Sequence, residues 1–197
     1  IAFNQARKQQ IEALTPSDGK SLARYRKIVG GALETMVGRP VPERESIERL
    51  LLSKVDQGEF QRESLLVSSP EYGEKIPVTH FVPARTQRFG PKPIVWITDT
   101  GKAALEAPDG KLLQPFTDLL SRGYPLMAAD LLYQGDFLRD GKPLAKAPIV
   151  PHVRYSLGYT FGYNNPLFIQ RVHDVLALCK SLDRGQGVHL AGIGRAA

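Results

Sequence analysis

The chain has 197 residues, 42% of them hydrophobic and 23% charged, with a net charge of +6, which suffices for one domain with a sizeable core. No apolar run approaches the ~20 residues of a membrane span, so no membrane partner is expected. The basic residues are dispersed among acids, Arg24-Arg26-Lys27 aside, which argues against a nucleic-acid partner, and the single cysteine, Cys179, excludes an internal disulfide.

Residues 1–42 read as a helical extension. The opening "IAFNQARKQQIEAL" lacks the uninterrupted apolar centre of a signal peptide. The compartment is therefore not legible; a signal removed upstream would make the protein secreted or periplasmic. Ile11 and Leu14, then Leu22, Tyr25, Val29, Leu33 and Met36, recur near helical spacing. Pro16-Ser17-Asp18-Gly19 ends one helix and caps the next, and Gly38-Arg39-Pro40-Val41-Pro42 stops the second.

From residue 43 the period changes. "LLLSKV", "RESLLVSS" and "KIPVTHFVP" are short β-rich runs separated by turn residues, and predict antiparallel strands joined by hairpins. Residues 84–92 read as a polar loop. Strand and helix then alternate: strand 93–98, helix 112–123 with Pro115 in its first turn, strand 124–130, a long connection 131–165, helix 166–182 and strand 187–192. Such alternation predicts right-handed crossovers and a parallel sheet. Asp130, at a strand end, is expected to orient a turn by accepting backbone N–H groups.

The last strand runs into Gly192-Ile193-Gly194-Arg195-Ala196-Ala197. A glycine-rich turn after a strand fits two chemistries. In a nucleophile elbow, G-x-S-x-G, Gly194 stands where the serine would be. In a dinucleotide fingerprint, G-x-G-x-x-A, Gly192 and Gly194 would cradle a pyrophosphate. That motif normally opens the first strand–helix unit, whereas two such units precede it here, and no cofactor is expected.

The order of elements is that of the N-terminal portion of an α/β-hydrolase fold: antiparallel strands leading into a parallel sheet flanked by helices. Four stretches, "VGRPVP" (37–42), "FQRESLLVSSPEYGEKIPVTHFVP" (60–83), "GYPLMAADLLYQGD" (123–136) and "GYTFGYNNPLFIQRVHDVLAL" (158–178), resemble bacterial esterases of the acetyl xylan esterase and dienelactone hydrolase kind. The resemblance implies hydrolysis of carboxylic esters, acetyl groups on polysaccharide among them, through a Ser–His–acid triad. It also implies an acid and a histidine later than the elbow, so residues 43–197 are expected to be an incomplete hydrolase-like domain. No metal is expected, and the oligomeric state is not legible.

Gly194 departs from that pattern. It permits the elbow's backbone angles but carries no oxygen to attack an acyl carbon. The backbone of Arg195, with that of Gly101 and Lys102 in the loop "TDTGKAAL", would form the oxyanion-binding donors. A serine introduced at 194 is expected to meet a turn already shaped for it. Tyr155, Tyr159 and Tyr163, in the connection 131–165, are candidates to face a sugar ring. The sequence thus leaves two readings beside the cofactor one: an esterase-related enzyme, or a pseudo-hydrolase that binds a ligand or partner.

Overall fold

The computed structural model describes residues 2–84, 90–140, 142, 144, 146, 148–162 and 165–194. The chain divides into two units, Ile1–Pro40 and Val41–Ala197.

In the first unit, α1 (Ala2–Glu12) is separated from α2 (Gly19–Tyr25) by the turn at Pro16–Asp18. Asp18 starts α2 with a capping box. Its carboxylate accepts the Ser21 N–H at 2.7 Å, and its own N–H donates to Ser21 Oγ at 2.9 Å, so two otherwise orphaned donors are satisfied reciprocally. A π-type turn, Arg26–Gly30, leads into α3 (Gly31–Val37), and Gly38 ends it at φ 77°. Ile11, Leu33 and Met36, spaced as an apolar stripe, are nevertheless exposed. Among the described residues no helix is long and apolar enough to cross a membrane.

The second unit is a mixed six-stranded sheet in the order β1-β2-β3-β5-β4-β6. Its strands are β1 (Glu48–Asp56), β2 (Phe60–Ser69), β3 (Glu74–Pro83), β4 (Ile94–Thr98), β5 (Leu126–Ala129) and β6 (His189–Ile193). The first three form an antiparallel meander, β5 adds antiparallel to β3, and β4 runs parallel to both β5 and β6. Alternation assigns the faces. Val95, Ile97, Met127 and Ala129 point to one side and pack with Leu65, Val67, Ile76 and Val78 against Ala177, Leu178 and Leu182 of α6 (Leu167–Leu182). Ile94, Leu126 and Ala128 point to the other and pack with Phe81 against Phe116 and Leu120 of α4 (Gln114–Ser121). Trp96 meets Phe116 edge-on, with ring centroids 5.0 Å apart.

Two elements differ from the expectation. The helix after β4 starts at Gln114, because Leu112 is held in a bridge to Glu106 and the Leu113 N–H bonds the Leu105 carbonyl. The long connection is not irregular throughout: it contains a two-turn helix, α5 (Ser156–Gly162), whose Thr160 hydroxyl accepts the Val150 N–H at 2.8 Å.

A charged row crosses the antiparallel half. The ladder places Lys54 opposite Glu63 and Glu63 opposite His80. Glu63 Oε1 lies 3.4 Å from the Lys54 ammonium and Oε2 lies 3.1 Å from His80 Nδ1. The hydrogen bond to His80 holds the Glu63 carboxyl down at about 2, and burial lowers the His80 imidazole below its ordinary range. Both groups bind protons more readily unfolded, so both contribute stability that is lost on acidification. The His80 contribution declines below about 6.5 and that of Glu63 below about 4.5, disappearing near 2. Denaturant titrations of the full-length protein are expected to show stability falling over that window. Glu63→Gln should cost about 1.5–3 kcal/mol at neutral pH and flatten the acid arm.

Candidate functional site

The helices on either face of the sheet make β4 a switch point. The chain leaves β4 through α4 toward β5 on one side, and returns from β5 through α6 to β6 on the other. Crevices beyond the carboxyl ends of strands at such a point are where ligands bind in open α/β sheets. Three strand ends converge there: Asp99-Thr100-Gly101 after β4, Asp130–Asp136 after β5, and Gly194 after β6.

Asp130 joins two of them. It is fully buried, and a buried carboxylate must be compensated by donors and cations. Oδ1 accepts the Lys102 N–H at 2.9 Å and Oδ2 accepts the Asp136 N–H at 2.9 Å. The Lys102 ammonium pairs with Asp130 and reaches Asp136 Oδ2 at 2.6 Å. Asp130 thus orients two turns, as its position in the sequence suggested. The approach requires glycine at 101 (φ 76°) and 135 (φ 42°), since a Cβ at either position would collide with the Asp130 carboxylate.

Gln134, which the sequence did not single out, closes the same corner. Its amide donates to the carbonyls of Thr98 and Asp99 at 2.9 and 3.0 Å, and its side-chain oxygen accepts the Leu131 N–H. From α6, Asp174 accepts the Leu132 N–H at 2.9 Å and Arg171 donates to the Leu132 carbonyl at 2.9 Å. Between these anchors Tyr133 adopts φ 62°, a left-handed conformation uncommon outside glycine.

Two of the three expected oxyanion donors have acceptors within the protein. The Lys102 N–H donates to Asp130, and the Gly101 N–H turns back toward the Thr98 carbonyl at 3.5 Å. Arg195 lies outside the described residues, as does Tyr163. Gly194 follows β6 at φ 75°. A Cβ at this position would meet the end of the exposed Asp99 side chain, which would have to turn aside to admit it. Gly192 lies within β6, opposite Ile97 in the parallel ladder.

Tyr155 and Tyr159 come together with His152, their centroids 5.4 and 5.0 Å from its ring, and both remain substantially exposed. His152 Nδ1 accepts the Tyr155 N–H at 2.9 Å, which fixes the start of α5. Of the other histidines, His173 is buried in α6 and His189 is exposed in β6. Among the described residues no three His, Cys, Asp or Glu side chains gather as a metal ion would need.

Asp130→Ala should leave two N–H groups without their acceptor and the Lys102 ammonium with Asp136 alone, at a cost of about 2–5 kcal/mol. Gly135→Ala should destabilise through the same carboxylate. Chemical denaturation of the full-length protein and of each variant reads both effects.

No family model matches the sequence, and no curated protein matches it. Solved structures do match. A glucuronoyl esterase from Solibacter usitatus superposes with a TM-score of 0.51 at 13% identity, covering 91% of this chain and 54% of its own. An acetyl xylan esterase from Paenibacillus sp. R4 gives 0.44 at 11% identity, covering 82% and 49%. The chain thus spans about half the length of these proteins. Together with the sheet order and flanking helices, the first likeness shows the α/β-hydrolase fold.

Proposed function

We propose that this protein is an esterase-type α/β-hydrolase-fold protein in which residue 194 is not a nucleophile and whose strand-end crevice binds a carbohydrate ester, or a partner, without acyl transfer. The observation that carries the reading is that position 194 is glycine, in a crevice where the Lys102 N–H is already taken by Asp130. An acyl-transfer site needs a nucleophilic oxygen at the elbow and N–H donors aimed at the developing oxyanion. Position 194 offers no oxygen. The Asp99 carboxylate lies beside the place a side chain at 194 would take, and an anion there opposes a second one. The Lys102 N–H is committed to Asp130. The exposed Tyr155 and Tyr159 rings supply apolar faces of the kind that stack on a pyranose.

The test is hydrolysis of p-nitrophenyl acetate by the full-length protein, with labelling by a serine-reactive phosphonate. The expected outcome is turnover at the buffer rate and no labelling. Gly194→Ser should remain inactive and lose about 1–3 kcal/mol of stability to backbone strain. Acetylated xylo-oligosaccharide should bind, and Tyr155→Ala should weaken it by roughly 0.5–1.5 kcal/mol. Efficient hydrolysis with labelling of the wild-type protein would overturn the reading.

A further inference from the structure

A cavity adjoins the strand-end crevice. Its volume is about 420 Å³, within the range of small-ligand sites. Its wall combines Tyr133 after β5, Pro148 and Pro151 ahead of α5, Thr160 within α5, and Pro166 and Gln170 at the start of α6. Two hydrogen bonds tie these stretches together: the Val150 N–H donates to Thr160 Oγ1 at 2.8 Å, and the Gln170 side-chain amide donates to the Asn165 carbonyl at 2.6 Å. Among the described residues the wall carries no charged side chain. Gln134, next to Tyr133 in the chain, bonds the Thr98 and Asp99 carbonyls, so Tyr133 stands between the cavity and the crevice.

Tyr133 is held at φ 62°, a conformation that strains any residue with a side chain and that glycine adopts freely. Such strain persists only where the surroundings impose it. Here they do. The Leu131 N–H donates to Gln134, the Leu132 N–H donates to Asp174, and the Arg171 guanidinium donates to the Leu132 carbonyl. The tyrosine is 37% exposed, so burial does not account for an aromatic residue where glycine would sit without strain. The polar capacity of the wall is small. Thr160 Oγ1 accepts the Val150 N–H and donates to the Ser156 carbonyl, and the Gln170 amide is turned to Asn165. A charged group would lose its water against the proline rings without finding a counter-ion, and a group rich in hydroxyls would find few partners. An uncharged aromatic ring asks for neither, and its faces suit tyrosine and proline.

We propose that this cavity takes an uncharged aromatic ring carried by the ligand of the crevice, with Tyr133 as the residue that selects it and Pro148, Pro151 and Pro166 as the wall it packs against. The inference rests on the reading above, in which the crevice binds a carbohydrate ester. The two sites share an element: α5 supplies Thr160 to the wall and also carries the exposed Tyr155 and Tyr159, whose rings suit a pyranose. A sugar on those tyrosines and an aromatic substituent beside Tyr133 are thus held by one short helix and one strained turn.

The experiment is calorimetric titration of the full-length protein with phenyl and methyl β-xylobioside, alongside acetylated xylo-oligosaccharide. The phenyl glycoside should bind about tenfold more tightly than the methyl glycoside, and a p-carboxyphenyl glycoside should lose that advantage. Tyr133→Gly, which φ 62° suits better than tyrosine, should erase the phenyl preference without lowering the melting temperature, and Tyr133→Phe should keep it. Leu167→Glu lies in the first turn of α6, where an acid is tolerated, and should erase the preference by placing a charge in the wall. If acetylated xylo-oligosaccharide binds while the phenyl glycoside gains nothing over the methyl, or if the preference survives both Tyr133→Gly and Leu167→Glu, the proposal is overturned and the reading of the crevice stands. If no sugar binds, that reading fails and the proposal fails with it.

Discussion

A single buried carboxylate organises the crevice end of the sheet. Asp130 sits where β5 stops and gathers the Lys102 N–H, the Asp136 N–H and the Lys102 ammonium. An uncompensated charge at that depth would be prohibitive, so the two loops that supply its partners are drawn to it. Their closeness admits no side chain at 101 or 135. The 3₁₀ turn after Gly101 follows from that demand, and so does the inward direction of the Lys102 N–H. What remains free at the mouth of the crevice is Asp99 beside Gly194. The chemistry of the crevice is thus set by what the fold needs from the carboxylate beneath it.

The sheet carries a separate group of charged side chains at each of its two ends. The crevice end sets Asp130 and Asp136 around the Lys102 ammonium, with Asp99 exposed beside Gly194. The other end sets the Arg49 and Arg184 guanidinium groups and the Glu63 carboxylate around the buried His80 ring. The strands between them are apolar on both faces and keep the two groups apart.

The sequence disclosed the architecture well because strand and helix periods are local. The break at Asp18, the stop at Gly38, the three-stranded meander and α6 all follow from spacing and from turn residues. The site was less legible because its decisive contacts join residues remote in sequence. Nothing near Gly194 announces that Asp99 fills the space beside it, and nothing near Lys102 announces that its N–H is taken by Asp130. Gln134 reads as an ordinary loop residue, although its amide locks the ends of β4 and β5. Helix α5 was hidden by Gly158 and Gly162 and by the prolines before it, which weigh against helix locally. His80 could be placed in a strand, but its cross-strand partner Glu63 becomes visible only once the hairpin register is known.

That register has a further consequence in β1. Residues five apart on a strand fall on opposite faces, so Arg49 and Lys54 should point in contrary directions. The ladder shifts between Leu51 and Ser53, pairing Lys54 with Glu63 and Arg49 with Val67. Glu63 and Val67 share a face. One supernumerary residue has reversed the parity of the strand's first half and brought both cations to the side of His80. Removing Leu52 would restore strict alternation, turn the Arg49 guanidinium to the far face, and leave the histidine with Lys54 alone from the edge.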